Sequence, residues 1–252
     1  MENSRRDFLK KAGLASAAAM SLPGIISASE KKETCKKKIG KSGLKILFQG
    51  DSITDGNRTR DNDWNHIMGH GYAYLISSRL WFENPDKNYM FLNRGISGNR
   101  IRDLEKRWKE DTIDLKPDIL SILAGVNDVH AIVGKNDPEP AEKFEERYRN
   151  LISKTKEVLP DTKIVICEPF IWPLSWVKDE FDIWKKEMEK CQKIVRKLAE
   201  EYNSVFVELQ EPFNKACKKA PMEYWIWDGI HPMPAGHELI AREWIRKTEH
   251  LF

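Results

Sequence analysis

The sequence predicts a three-layer α/β/α domain built on a mostly parallel, five-stranded sheet. Three observations predict it. Short apolar runs alternate along the chain with longer amphipathic segments. Glycine or proline marks many of the junctions, as at Gly50, Pro85, Pro117 and Pro160. The 252 residues are 40% hydrophobic and 32% charged, a globular composition with room for one large domain. Strands joined through helices run parallel, and such a sheet is covered on both faces.

Residues 1–28 read as an export signal rather than as fold. Ser4-Arg5-Arg6-Asp7-Phe8-Leu9-Lys10 resembles the bacterial twin-arginine motif, and an Ala/Leu-rich stretch follows over 12–26. Ile26-Ser27-Ala28 is the candidate cleavage site. Export makes the expected location periplasmic or extracellular. Residues 29–43 form a Lys-rich linker, and the domain is expected over 44–252. Its first strand is 44–49, ending at Gly50. A helix over 71–84 stops before Pro85. The second strand is 89–92. A helix over 101–115 is closed by Lys116-Pro117, and the apolar run DILSIL makes 118–123 the third strand. The amphipathic helix 141–159 stops at Pro160, and KIVIC (163–167) is the fourth strand. A long helix over 181–202 precedes the fifth strand, SVFVEL at 204–209. A short helix over 212–219 and a terminal helix over 234–248 complete the chain.

Several function classes are excluded early. A net charge of +3 from 42 basic and 39 acidic residues is too balanced for a dedicated nucleic-acid binder. No apolar run reaches the roughly 18 residues of a membrane span, so no stable membrane insertion is expected. Four cysteines do not make a disulfide scaffold, and none has a metal-like partner at close spacing. His66 and His70 stand four apart near Asp61 and Asp63, but no third ligand follows, so neither metal nor cofactor is expected.

The unusual residues fall where strands end. Gly50-Asp51-Ser52-Ile53 follows the first strand and Asn93-Arg94-Gly95-Ile96-Ser97-Gly98-Asn99-Arg100 the second. Gly125-Val126-Asn127-Asp128 follows the third, and Trp227-Asp228-Gly229-Ile230-His231-Pro232 lies beyond the fifth. In a parallel sheet these loops share one rim, where ligands of open α/β sheets bind. The set suits acyl transfer. Ser52 is the candidate nucleophile, His231 its base, and Asp228 the group that orients the imidazole. The backbone N–H groups of Ser52 and Gly98 and the Asn127 amide are candidate oxyanion donors. Gly98 is expected to let the backbone approach the reacting centre without a Cβ in the way. Taken singly, each motif has a plainer reading: a turn, a cap, or an Asp228–His231 capping pair before Pro234.

Together, in this order over residues 50–232, the four blocks resemble those of the SGNH hydrolases, also called GDSL esterases. Ile53 stands in place of the usual Leu. The resemblance implies a flavodoxin-like five-stranded sheet and hydrolysis of carboxylic esters or thioesters without a metal. The surrounding sequence looks most like exported members assigned to polysaccharide deacetylation. The expected substrate is therefore an acylated carbohydrate carrying short acyl groups, hydrolysed through an acyl-enzyme on Ser52. The alternatives are a lysophospholipase or lipase-type GDSL esterase, or an exported glycan-binding module with vestigial activity.

Rim residues are harder to read. Asp51, Asn99, Arg100, Trp64, His130 and Trp172 are candidates for a second layer or substrate rim. Trp64, Trp172, Trp176, Trp225 and Trp227 lie in or near predicted loops and can stack on sugar faces, or Trp225 and Trp227 simply wall the loop of Asp228. Arg58, Arg60 and Arg100 either pair with uronic acid carboxylates or are surface charges. The loop over 55–70 is polar, which suits a hydrophilic substrate.

Overall fold

The computed structural model describes residues 43–61 and 65–252. The export signal, all of the linker except Gly43, Asp63 and Trp64 lie outside the described residues. Five parallel strands form one sheet: β1 (Lys45–Gly50), β2 (Met90–Asn93), β3 (Ile119–Leu123), β4 (Lys163–Cys167) and β5 (Val205–Val207). Their order is β2-β1-β3-β4-β5, the flavodoxin-like arrangement. Each expected strand is present within a residue or two of its predicted ends. The fifth is shorter because Glu168, buried below it, takes the N–H groups of Leu209 and Gln210 and turns the chain into a helix.

Adjacent side chains on β1 show why the sheet is covered on both faces. Phe48 packs against Tyr72 of α2 (Tyr72–Glu83) and Trp244 of the terminal helix Pro234–Thr248. Gln49 points the opposite way, as alternation requires. There Gln49 bonds to Thr112, at the end of α3 (Ile101–Trp108) and its π-helical continuation Lys109–Ile113. The π-turn, which periodicity had read as more α-helix, brings Thr112 beneath the strand. On this face α3, α5 (Ala141–Val158) and α6 (Phe181–Glu201) pack in sequence. Trp108 donates to Thr155 Oγ1 at 3.0 Å and ties α3 to α5 inside the core.

Among the described residues, three α-helices have no counterpart in the sequence reading: α1 (Ser52–Asp55), α4 (Val126–Val133) and α8 (Met222–Trp225). The first two begin at the motifs read as turns. The short helix expected over 212–219 is α7 (Gln210–Ala216), and the terminal helix is α9 (Pro234–Thr248). Among the described residues, no helix is long and apolar enough to cross a membrane. Cys167 and Cys191 are buried free thiols, and Cys217 is free and half-buried.

Candidate active site

The chain runs from β1 outward to β2, then returns past β1 to β3. The crevice at this reversal, between the carboxyl ends of β1 and β3, is where ligands of such sheets bind. Gly50 ends β1, and Asp51 caps α1 by accepting the Ile53 N–H at 3.0 Å. Ser52 is thereby the first residue of a helical turn, half-buried, with its Oγ 2.8 Å from His231 Nε2.

His231 is held by a tight loop. An antiparallel bridge joins Ile226 to Pro232, and the Trp227 N–H donates to the His231 carbonyl. Inside the loop Asp228 Oδ1 accepts the N–H groups of Ile230 (2.9 Å) and His231 (2.7 Å). Its other oxygen lies 2.7 Å from His231 Nδ1. With Asp228 ionised, Nδ1 carries the proton and Nε2 is left to accept from the serine hydroxyl. Gly229, between them, sits at φ 94°. A Cβ there would also fall 2.6 Å from the Trp172 carbonyl, so the loop closes only on glycine.

The electrostatics agree with this ordering. The hydrogen bond to Asp228 holds the His231 imidazole above its ordinary pKa, against the opposing effect of burial. Burial alone would raise Asp228, but the His231 ring and the two backbone N–H groups hold its carboxyl below the usual range. Asp51 and Asp128 differ. Burial pushes each up to about 7, despite the backbone N–H groups of Ile53 and Ile101 respectively.

The second loop is fastened from several sides. Buried Asn93 donates to the Thr54 carbonyl at 2.7 Å and accepts the Gly95 N–H at 2.9 Å. Asp55 takes the Ser97 N–H at 3.0 Å, and the Ile96 N–H reaches the Gly50 carbonyl. Asn127, at the start of α4, donates one side-chain N–H to the Asn99 carbonyl at 3.1 Å. Its second N–H remains for another acceptor. Among the described residues, neither the Ser52 nor the Gly98 backbone N–H has a protein acceptor. Gly98 is exposed at φ 80°, and a Cβ there would meet no atom within 4 Å. Within the protein the glycine answers to its backbone conformation, and the open space beside it leaves its N–H accessible from the cleft side.

The candidate rim separates into layers. Asp51, at 1% exposure, lies beneath the site and touches no rim. Trp172 is also core, packed on Phe170 and Phe213, and its N–H holds the Gly229 carbonyl at 2.8 Å. Arg100 spends its guanidinium on the carbonyls of Asn136 and Asp137. Arg58 bonds to the Gly95 and Thr59 carbonyls and Arg60 to Asp55, so these arginines staple loops together. Asn99 gives its carbonyl to Asn127 and its side-chain oxygen to Arg107. His130 is exposed, stacked on Trp184 at 19° and tilted at 53° against Trp176.

Arg107 and Gln49 were missed. From α3, Arg107 donates to Asn99 Oδ1 (2.9 Å), the Arg94 carbonyl (2.8 Å) and Gln49 Oε1 (2.9 Å). It joins the end of β1 to the second loop. A sequence signal existed for Gln49 only: a lone polar residue in the otherwise apolar end of KILFQG. A cavity of about 510 Å³, lined by Pro212, Trp225, Leu239 and Arg242 among others, lies away from these groups. The candidate site is instead the rim where Ser52, His231 and Asp228 are linked by hydrogen bonds.

The profile of the GDSL-like Lipase/Acylhydrolase family matches residues 48–239. An acetylxylan esterase of Geobacillus stearothermophilus is 36% identical over 217 residues, covering 83% of this chain and 95% of that protein. The crystal structure of the acetylxylan esterase Axe2 from that organism superposes with a TM-score of 0.72 at 35% identity, over 82% of this chain and 94% of Axe2. A GDSL-like protein of Parabacteroides merdae ATCC 43184 superposes with a TM-score of 0.78 at 38% identity, over 82% and 96% of the two chains. Structures of Axe2 include two catalytic mutants, one replacing a serine and one an aspartate.

Proposed function

Because the chain belongs to the GDSL-like lipase/acylhydrolase family, and is thereby a carboxylic ester hydrolase, we propose that it removes acetyl groups from carbohydrate through an acyl-enzyme on Ser52. One observation carries the chemistry: the continuous hydrogen-bonded chain from Ser52 Oγ through His231 to Asp228, at 2.8 and 2.7 Å. The likeness to acetylxylan esterases supports the substrate class.

In this reading His231 Nε2 takes the hydroxyl proton as Ser52 Oγ attacks the ester carbonyl. The Asp228 carboxylate stabilises the imidazolium that forms. Negative charge gathers on the carbonyl oxygen, where the N–H groups of Ser52 and Gly98 and the second amide N–H of Asn127 are its donors. Collapse of this intermediate breaks the bond to the sugar oxygen, which leaves with the proton from His231. Water then attacks the acyl-enzyme with His231 again as base, and acetate is released.

Arg107 positions these donors without touching the reacting atoms. Arg107→Ala is expected to lower kcat by up to about a hundredfold, the effect of misplacing a site by an ångström. Lysine cannot restore it, lacking the planar fork that reaches Asn99, Gln49, Asp111 and the Arg94 carbonyl together. Free guanidinium should recover part of kcat in the alanine variant, a rescue that general destabilisation would not show.

The substrate reading is tested with p-nitrophenyl acetate, butyrate, octanoate and palmitate. On the acetyl reading, kcat/KM is expected to fall steeply beyond butyrate. A preference for octanoate or palmitate would replace the acetyl reading with a lysophospholipase or lipase. Glycan binding with no turnover of any ester would leave a binding module.

A further inference from the structure

We infer that Trp227 and Trp176 are two flat-faced subsites for pyranose rings, Trp227 for the sugar that bears the ester and Trp176 for a neighbouring sugar of the same chain. The inference rests on the acetyl-carbohydrate reading above and deepens it.

It begins with which tryptophans are exposed. Among those described, Trp108, Trp172, Trp184 and Trp244 are buried, and Trp81 and Trp225 are half-buried. Trp227 and Trp176 stand out at 62% and 43% exposure. Both lie on loops that build the site. Trp227 precedes Asp228, and its ring centre is 6.1 Å from that of His231, tilted by 36°. The residues from Trp172 to Leu174 pack directly on Gly229 of the same loop.

The backbone of Trp227 and the indole of Trp176 are also held in place. The Trp227 N–H is bonded to the His231 carbonyl, so its backbone moves only with the catalytic loop. Trp176 leans on His130, ring centres 5.0 Å apart, and His130 is stacked at 5.6 Å and 19° on buried Trp184. His130 lies three residues after Asn127 on α4, on the same helix face. Ser175, just before Trp176, holds φ at 48°, a left-handed conformation that a non-glycine residue adopts at a cost. The turn thus presents the indole against local backbone preference.

The direction of the chemistry assigns the occupants. His231 must hand its proton to the leaving oxygen, so the alcohol half of the ester lies on the His231 side. The aromatic face beside His231 therefore meets the alcohol and not the acyl group. A pyranose offers that face a flat array of C–H bonds. The glycerol of a lysophospholipid does not. Trp176 follows the segment that backs Gly229 and packs on His130, itself a helical turn from Asn127, which places it to take the next ring of a polymer.

The test uses the full-length protein carrying Ser52→Ala, which binds without turnover. Titration calorimetry with acetylated xylooligosaccharides should show affinity about tenfold weaker for Trp227→Ala and for Trp176→Ala, the loss of one ring face, with Phe at either position restoring most of it. In the active enzyme both alanine variants should lose more kcat/KM on acetylated xylan than on p-nitrophenyl acetate. Unaltered affinity in both alanine variants, with wild-type enzyme deacetylating xylan, overturns the subsites and leaves the acetyl-carbohydrate reading standing. A changed oligomeric mass in place of a changed affinity also overturns them, by assigning the exposed indoles to a subunit contact. Wild-type turnover of p-nitrophenyl acetate without turnover of any sugar acetate overturns both together.

Discussion

Ser52→Ala is expected to lower kcat for p-nitrophenyl acetate by about 10⁴-fold or more, because removing the nucleophile removes the acyl-enzyme route altogether. What remains is the catalysis of the donor cluster acting on water. The substitution deletes one hydroxyl from a half-buried position whose side-chain bond, among the described residues, is to His231. The cap of α1 belongs to Asp51 and does not depend on the serine side chain. The thermal midpoint should therefore stay within a few degrees of wild type. Near-wild-type rates in this variant would show that another group attacks the ester.

Asp228→Asn is expected to be nearly as severe, about 10⁴-fold in kcat, for a different reason. An amide in place of the carboxylate presents an N–H to His231 Nδ1 and favours the tautomer with its proton on Nε2. That tautomer cannot accept from Ser52. The pH profile carries the diagnostic signature. In the wild type His231 is held above its ordinary pKa of 6.5, chiefly by the Asp228 hydrogen bond. A base works only when neutral, so kcat/KM should fall as pH drops through that raised value, placing the acid limb above 6.5. Removing the carboxylate removes the stabilisation of the imidazolium while burial continues to oppose it. The limb should then move to lower pH as the plateau falls. An acid limb that stays in place in Asp228→Asn would show that another group governs it.

These two predictions concern residues that stand out in the sequence, whereas their supports do not. The strands were legible because a fully buried parallel strand is a short apolar run, as in KIVIC and DILSIL. The helices α2, α5, α6 and α9 were legible from periodicity and proline stops. Helices α1 and α4 were not. Each starts on motif residues whose side chains favour turns and caps, and Asp51 does cap one of them. The π-turn after α3 has no period of its own in the sequence.

By itself, then, the sequence determined the sheet and the order of the four loops, and it singled out Ser52, Gly98, Asn127, Asp228 and His231 as candidates. Parallel topology alone carries such loops to one rim, so no contact had to be known in advance. Only the tertiary structure decided which neighbours face the cleft. Trp172 and Trp176 lie four residues apart in one loop, yet one is core and the other is exposed. Arg100 precedes α3 and Arg107 lies in its last turn, yet one staples a distant loop and the other joins β1 to the second loop. Exposure and hydrogen-bond partners depend on segments remote in the chain, as Ser52 and His231 are by 179 residues. Local pattern records which face of an element is apolar, but not what folds over it.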